Sequence, residues 1–174
     1  MRVLVAYASE YGSTRGIAER IAEVLSEHGQ LVDVWSVEEV YDLSEWQCVV
    51  VGSAVHNTAW LDQAQRFVAR HQSELRRRQV WAFSVGMPAA LRWPLRDLAS
   101  AKEQAKIGEE LRRRVLVRDH RLFSGVFDRD REQSRLGRLL FAVVSGRYGD
   151  LRDWEAIDGW AQEIAQELSH QPVG

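Results

Sequence analysis

The sequence has very little cysteine, proline and lysine. Its single cysteine, Cys48, excludes an internal disulfide framework and makes a reducing cytoplasm the expected compartment. Only three of the 174 residues are proline, while 45% are hydrophobic and 28% charged, which predicts a globular chain rather than a disordered or fibrous one. The start of the chain lacks the basic and then apolar form of a secretion signal, and the apolar run at 139–144 is far shorter than the ~20 residues that cross a bilayer. We therefore expect one domain covering residues 1–174, without a transmembrane helix.

The net charge of −2 conceals an uneven distribution along the chain. Residues 112–152 contain eleven arginines and five acids and carry +6, so the remainder carries −8. The last segment, 153–174, contains five acids and neither lysine nor arginine. The net charge excludes only a wholly basic or wholly acidic protein, and no nucleic-acid partner is expected. Its distribution predicts a polar molecule with one face that could attract an anionic substrate or surface.

Strands and helices alternate along the sequence. Short apolar runs predict strands at 2–8, 31–37, 47–53, 79–85 and 121–127. Apolar stripes with a period near 3.6 predict helices that begin near Thr14, Leu61, Pro94 and Trp154, with Gly29 ending the first and Asp153 capping the last. This alternation predicts an α/β fold with a doubly wound, five-stranded parallel sheet of order 2-1-3-4-5. Residues 128–152 form an insertion before the last helix.

The loop after the first predicted strand has the composition of a phosphate site. In such a sheet, ligands bind at the carboxyl ends of the strands where the strand order reverses. The loop contains Ser9, Glu10, Tyr11, Gly12, Ser13 and Thr14, immediately before a helix. Its hydroxyls and backbone N–H groups suit a phosphate, and the absence of GxxxxGK[ST] and GxGxxG favours a monophosphate over a nucleoside triphosphate or a dinucleotide. The alternative is that these residues only cap the helix.

Two later loops each contain a tryptophan that could flank a planar ring. The candidate contacts from both loops are Ala54, Val55, His56, Asn57, Thr58, Trp60, Val85, Gly86, Met87 and Trp93. We expect Trp81, Trp154 and Trp160 in the core, since they lie in a strand or on an apolar helical stripe, whereas Trp60 and Trp93 lie in predicted loops. His56 is the one histidine of these loops. No metal site is predicted.

These loops together resemble the flavodoxin-like family, and within it the menaquinone-dependent protoporphyrinogen dehydrogenases of bacteria. The resemblance extends over almost the whole chain and rests on YAS at 7–9, GSTRGIA at 12–18, VGSAV at 51–55, RFV at 66–68, FSV at 83–85, SG at 145–146, DW at 153–154 and AQEIA at 161–165. In that family a long insertion precedes the final helix, as 128–152 does here. The usual phosphate motif, [ST]-x-T-G-x-T, has Tyr11 in place of its second Thr and the acidic Glu10 beside it.

The resemblance implies an FMN-dependent oxidoreductase that oxidises a porphyrinogen of haem biosynthesis and reduces a quinone. Ser9, Gly12, Ser13 and Thr14 would then hold the FMN phosphate, and the two later loops would surround the isoalloxazine ring. No catalytic side chain is implied, because the flavin carries the chemistry. A flavodoxin-like electron carrier that uses FMN or deazaflavin, without a substrate of its own, is the main alternative. A cofactor-free receiver-like domain is disfavoured, since the acids and the lysine that it needs are missing at the strand ends.

The insertion contains a second pattern, an apolar stripe flanked by arginines. Leu136, Leu139, Leu140, Val143 and Val144 recur at helical spacing. Such a short basic amphipathic helix either lies peripherally on an anionic membrane, at the inner face of the cell membrane, or packs on the domain. The arginines that we assign to substrate or membrane are Arg92, Arg131, Arg135 and Arg138.

Overall fold

The computed structural model describes residues 1–56, 59–86, 107–109, 111, 113–127 and 149–170. In chain order these residues form β1 (Arg2–Ala8), α1 (Ser13–Glu27), β2 (Leu31–Ser36), β3 (Cys48–His56), β4 (Ala59–Trp60), α2 (Asp62–Arg70), α3 (Gln72–Leu75), β5 (Gln79–Gly86), β6 (Val117–Ser124), β7 (Val126–Phe127), β8 (Gly149–Asp150) and α4 (Trp154–Ser169). Residues 107–109, 111 and 113–114 are also helical.

The main sheet has the strand order β2-β1-β3-β5-β6, and these strands pair in parallel. The predicted five-stranded parallel sheet of order 2-1-3-4-5 is therefore confirmed. The short strand β4 pairs antiparallel with the end of β3, and β7 pairs antiparallel with β8. The sheet is an open one in which β2 and β6 form the edges.

Two predicted strands have different bounds in the structure. The third continues past residue 53 to His56 and turns back as β4, where we expected a loop. The fifth begins at Val117 and ends at Ser124, upstream of the predicted 121–127. An edge strand tolerates charged side chains, so Arg118 and Asp119 belong to β6 although the apolar pattern excluded them. Gly125 then separates β6 from β7.

Hydrophobic clusters cover both faces of the sheet. One contains α1 and α4 against β1, β3 and β5, with Ile17, Ile21, Ile157 and Ile164 fully buried. The other contains α2 together with Ile107, Leu111 and Val115 against the opposite face. Burial on both faces explains why the central strands are almost continuously apolar. The same packing leaves the strand ends and their loops as the places where polar groups can meet a ligand.

The predicted helix ends are confirmed for α1 and α4. Gly29 follows α1 with φ 81°, a left-handed conformation that glycine adopts at little cost. The Asp153 carboxylate accepts a hydrogen bond from the backbone N–H of Ala156 at 3.0 Å and so caps α4. Arg20 donates two hydrogen bonds of 2.7 Å to Asp158, which joins the two helices side by side.

Trp81 and Trp160 are buried as predicted, but the prediction for Trp154 is wrong. Its side chain is 38% exposed, since it occupies the first position of α4, at the margin of the apolar stripe. The Arg152 guanidinium lies 4.4 Å from the centre of its ring and covers part of the indole. Trp154 therefore contributes to the surface near the start of α4 rather than to the core.

Charges that are separated in sequence are adjacent in space. Arg118 lies 3.4 Å from Glu167, and Arg121 lies 3.1 Å from Glu163, so arginines of the basic segment 112–152 pair with acids of α4. The expected segregation of charge is therefore reduced along β6, because strand and helix pack against each other. Exposed pairs of this kind stabilise a protein by about 0–1 kcal/mol each.

Several predicted features lie outside the described residues. They are the first part of the helix that begins near Pro94, the amphipathic helix of the insertion with Arg131, Arg135 and Arg138, and the loop residues Asn57, Thr58, Met87, Arg92 and Trp93. Within the part of the chain that the structure does describe, no helix is long and apolar enough to cross a membrane.

Replacement of Gly52 by alanine tests how tightly the sheet packs. A Cβ at this position of β3 would overlap the ring of Phe83 on the neighbouring strand. We expect Gly52→Ala to lower the free energy of unfolding by about 1–3 kcal/mol or more, since overpacked cores resist relaxation. Gly159→Ala is the matched control, because its Cβ meets no heavy atom within 4 Å in helix α4, and it should stabilise the protein by about 0.5–1 kcal/mol. Urea unfolding measures both, and equal effects would contradict this packing.

Candidate functional site

The carboxyl ends of β1, β3 and β5 lie side by side at one edge of the sheet. Ala8 at the end of β1 is in register with Ser53, and Ala54 is in register with Val85 near the end of β5. Of the predicted site residues, this edge brings together the loop 9–14, the end of β3 and the end of β5. The site is thus assembled by parallel pairing, as expected for a doubly wound sheet.

The loop after β1 makes a sharp turn into α1 at Gly12. Gly12 has φ 91°, a left-handed conformation in which other residues are strained, and it occupies the N-cap position. Its backbone N–H donates to Ser9 Oγ at 2.9 Å, and its carbonyl accepts the first helical hydrogen bond from Gly16 at 3.0 Å. In the described part of the chain, no side chain at the N-cap position caps the helix. The backbone N–H groups of its first turn therefore remain available to a ligand.

Thr14 provides the strongest sign that this turn holds a ligand. Its side chain lies in the first turn of α1 and is 1% exposed, yet its Oγ1 has no hydrogen-bond partner in the described part of the chain. A buried polar group without a partner costs about 1–3 kcal/mol. A phosphate oxygen would accept from this hydroxyl while the positive end of the helix dipole attracts its charge. The donor set at this loop therefore fits a phosphate group.

The two departures from the flavodoxin motif, Glu10 and Tyr11, are both exposed. Tyr11 is 61% exposed, so it does not fill the place of the missing threonine hydroxyl. Ser13 is partly buried at the first position of α1. The loop thus offers Ser9, Ser13, Thr14 and backbone amides, with the bulky and acidic side chains directed to solvent.

The end of β3 is a hairpin rather than a loop. Ala54 and Val55 are half-buried and His56 is exposed, while Val85 and Gly86 at the end of β5 are buried. A planar ring at this edge would contact the hairpin on one side and the end of β5 on the other. His56 stands at the tip, in contact with solvent.

The prediction that Trp60 lies in a loop is wrong. Trp60 belongs to β4, pairs with Val55 and is only 5% exposed. Its indole lies in the cluster that packs α2 against the sheet, and Nε1 donates to Ser84 Oγ at 2.8 Å. Antiparallel pairing with β3 turns this side chain inward, so the indole is enclosed beneath the hairpin and packs in that cluster.

Gly125 lies against the candidate phosphate loop and is absent from the sequence-predicted set. A Cβ there would lie 3.0 Å from Val85 Cγ1 and 3.4 Å from Ser13 Oγ. Its N–H donates to the Gly86 carbonyl at 3.2 Å. The only sequence signal was a glycine inside an apolar run, which indicates a bend or a close approach. Gly125 thus brings the end of β5 close to the start of α1.

Arg152 also lies against α1 and was missed by sequence reasoning. A Cβ on Gly16 would lie 2.7 Å from Arg152 Nη1, so the guanidinium occupies the space that this glycine leaves open. Its Nε and Nη2 donate to the two Asp150 oxygens at 2.9 and 2.6 Å, and hydrogen bonding from Arg152 lowers the pKa of Asp150. This pair fixes the segment that follows β8 beside the first turns of α1.

The described part of this site supplies groups that can bind a ligand. Within the described ranges, no group of three or more His, Cys, Asp or Glu side chains could hold a metal ion. The polar atoms of the candidate site are hydroxyls and amides at the start of α1. They lie beside the ends of β3 and β5, which can flank a flat ring. This set fits a phosphorylated planar cofactor such as FMN.

Comparisons with known proteins agree with this geometry. The sequence matches the family described as flavodoxin domain over residues 4–131. No curated protein matches the sequence closely enough to count. Among solved structures, the fold is similar to flavodoxin 2 from Bacillus cereus, with 21% identity, a TM-score of 0.61, and 96% of this chain and 99% of that chain covered.

Other similar structures include a flavodoxin from the domain Archaea, with 18% identity, a TM-score of 0.59, and 98% of this chain and 100% of that chain covered. The rubredoxin oxygen:oxidoreductase from the anaerobe Desulfovibrio gigas has 18% identity and a TM-score of 0.61 over 97% of this chain. The chain spans 36% of the length of that protein. At these identities the structures show the fold alone.

The family match covers most of the chain and includes the candidate phosphate loop, the end of β3 and the end of β5. It supports FMN as the cofactor and a redox function based on a bound flavin. The chain therefore belongs to the flavodoxin domain family.

Proposed function

We propose that this protein is an FMN-dependent oxidoreductase that binds the FMN phosphate at the turn between β1 and α1. The observation that carries the proposal is the buried Thr14 hydroxyl, which has no hydrogen-bond partner among the described residues and lies at a helix start whose N-cap is a glycine. In this proposal Ser9, Ser13 and Thr14 bind the phosphate through hydroxyls and backbone N–H groups, and Gly12 gives the turn its left-handed conformation.

The end of β3 and the end of β5 orient the flavin ring in this proposal. Val55 and His56 contact one side of it, and Val85 and Gly86 contact the other. When bound, FMN supplies the transfer of two electrons from a reduced substrate to an acceptor. The protein binds the phosphate, holds the ring at the strand ends and excludes water from its inner side. No side chain of the chain is assigned to move a proton.

For the substrate, we propose a porphyrinogen, with a quinone as acceptor. The support is the sequence resemblance to menaquinone-dependent protoporphyrinogen dehydrogenases, which includes the insertion at 128–152. The arginines of this insertion, with Arg92, would attract the carboxylates of the substrate or an anionic membrane surface that contains the quinone. Described arginines of the same basic segment, such as Arg118 and Arg121, are paired with acids and are therefore not assigned this role.

An acidic cleft at the β2 edge favours the second candidate, a flavodoxin-like electron carrier. The cleft has a volume of about 290 Å³ and is lined by Asp33, Glu39, Asp42 and Glu45 together with Trp35, Tyr41, Trp46 and Arg2. Arg2 pairs with Asp33 and Glu45 and compensates part of this charge. A carrier with an acidic surface is steered towards basic redox partners.

Replacement of Thr14 by valine tests the phosphate site. Valine keeps the shape of the side chain but removes the hydroxyl, so the flavin-free protein should unfold at the same or a higher temperature. Loss of a hydrogen bond to a charged group, about 1.5–3 kcal/mol, should raise the FMN dissociation constant about ten- to hundredfold. Flavin fluorescence titration measures the binding, and riboflavin, which has no phosphate, should bind both proteins alike.

Ser26→Ala is the control for this experiment. Ser26 also lies in α1 but donates its hydroxyl to the Ala22 carbonyl at 2.8 Å, far from the turn at Gly12. Its replacement should leave the FMN dissociation constant unchanged. Equal FMN binding by the Thr14→Val variant and the parent would show that the phosphate lies elsewhere.

A turnover assay separates the oxidoreductase from the carrier. Protoporphyrinogen and a soluble menaquinone analogue are mixed with the FMN-loaded protein, and the appearance of porphyrin is followed by its fluorescence. We expect porphyrin to form faster than in the protein-free mixture, with quinone consumed in proportion. Formation at the uncatalysed rate, from a protein whose visible spectrum shows bound flavin, would reject the porphyrinogen assignment and favour the carrier. A colourless protein that does not bind added FMN would reject both.

A further inference from the structure

A buried chain of hydrogen bonds crosses the sheet beneath the proposed flavin site. Trp60 Nε1 on β4 donates to Ser84 Oγ on β5 at 2.8 Å, and Ser84 Oγ shares a hydrogen bond of 2.9 Å with His120 Nε2 on β6. Trp60 and His120 are each 5% exposed, and Ser84 is fully buried. The three side chains join three strands through polar contacts in the interior of the protein.

Burial of these hydrogen-bonded side chains costs free energy, and packing of the core does not require it. A buried hydroxyl and a buried imidazole are less favourable than apolar side chains of the same size unless they are fully hydrogen-bonded. Valine and phenylalanine would fill a sheet interior without that constraint. None of the three residues belongs to the phosphate turn, so binding of the phosphate does not explain them.

The position of Trp60 gives the chain a specific geometric effect. Trp60 is in register with Val55, so the indole anchors the part of the hairpin that would contact the flavin ring. Ser84 precedes Val85 and Gly86, which form the opposite side of the proposed ring site. The hydrogen bond between Trp60 and Ser84 therefore links the two sides of that site directly, and His120 holds the serine from the edge strand.

Other contacts hold the same return strand of the hairpin. The backbone N–H of Leu61 lies 3.1 Å from Ser53 Oγ and 3.3 Å from the Ala54 carbonyl and donates to both. Gln65 Nε2 donates to the Trp60 carbonyl at 2.8 Å. With these contacts the backbone around Trp60 is fixed against β3 and α2. The side-chain link to Ser84 and His120 adds polar contacts to β5 and β6, beside the apolar packing of the indole.

We propose that Ser84 and His120 are positioning residues. Through Trp60 they set the spacing between the β3–β4 hairpin and the end of β5, and this spacing determines how tightly the flavin ring binds. The inference rests on the proposed function, because it assumes that the ring lies between these two segments. It assigns the ring and the phosphate to separate groups of residues. Changes in the buried chain should weaken any flavin, whereas changes in the phosphate turn should weaken only flavins that have a phosphate.

The test compares Ser84→Ala, Trp60→Phe and the double variant with the parent protein. Dissociation constants for FMN and for riboflavin are measured by fluorescence titration. We expect each single variant to raise both constants by about three- to tenfold, the size of effect of one buried hydrogen bond. The double variant should raise each dissociation constant by less than the product of the two single fold-changes, because the two residues share one contact.

Trp46→Phe is the matched control. Trp46 Nε1 donates to Asp33 Oδ2 at 2.7 Å, beside the β2 edge strand and away from the proposed ring site. The same chemical change there should leave both flavin dissociation constants unchanged. A loss of flavin affinity in Trp46→Phe as large as in Trp60→Phe would overturn the proposal, since it would reflect general destabilisation.

Hydrogen exchange of the flavin-free proteins gives a second measurement that does not depend on binding. We expect the amide of Leu61 to exchange about three- to tenfold faster in Ser84→Ala than in the parent, while central amides of β1 are unchanged. Ser84→Thr, which keeps a hydroxyl, should restore slow exchange and riboflavin binding.

The outcomes separate this inference from the proposed function. A parent protein that binds neither FMN nor riboflavin would reject the proposed function and the inference with it. A parent that binds both, with Ser84→Ala variants whose riboflavin constant and Leu61 exchange are unchanged, would overturn the inference alone. The inference would be supported if Ser84→Ala makes the Leu61 amide exchange faster and weakens binding of both flavins, with the ratio of the FMN and riboflavin dissociation constants the same as in the parent.

Discussion

Parallel pairing of β1, β3 and β5 is the constraint on which the rest of this structure depends. Parallel strands end at the same edge, so each connecting helix must begin near that edge and return along one face. The sheet is thereby covered on both faces, and the uncapped start of α1 lies beside the ends of β3 and β5. The turn between β1 and α1 is so short that a left-handed Gly12 is needed to reverse the chain. Polar groups of the turn and of the helix start therefore lie at the carboxyl ends of the strands, where the hydrophobic core ends.

The same constraint explains which elements the sequence can predict. Strands that are buried on both faces are apolar throughout, and α1 and α4 each bury one regular stripe, so local patterns are sufficient for these elements and for their order. The edge strand β6 is different. Arg118 and Asp119 are charged and lie at the sheet margin, so the apolar pattern does not show where the strand begins. The hairpin at β4 depends on a contact between Val55 and Trp60 that no local pattern encodes. Burial of Trp60 follows from this tertiary contact, whereas exposure of Trp154 follows from its position at the start of α4.

The candidate site divides in the same way. The candidate phosphate turn is one continuous segment whose glycine, hydroxyls and position before a helix are all visible in the sequence. The structure adds that the Thr14 hydroxyl is buried and has no hydrogen-bond partner among the described residues. Gly125 and Arg152 reach α1 from segments more than a hundred residues away in the chain, so no spacing rule identifies them. The charge pattern of the sequence likewise does not show which charged residues are adjacent in the fold. Arg121 and Glu163 belong to oppositely charged segments of the sequence, yet packing of β6 beside α4 makes them an ion pair.

Two kinds of buried polar side chain lie close to the edge of the sheet, and their hydrogen bonding distinguishes their roles. Trp60 and Ser84 satisfy each other within the protein, which stabilises one conformation of the fold whether or not a ligand is present. Thr14 is satisfied by no described group, which lowers the stability of the flavin-free protein and leaves a donor in place for an acceptor. Binding of an anion that Thr14 can reach removes this penalty in the folded state alone, so the ligand stabilises the fold by mass action. The turn and the strand ends beside it are already held in place by contacts that do not involve a ligand, so binding in the proposed function would need little reorganisation energy.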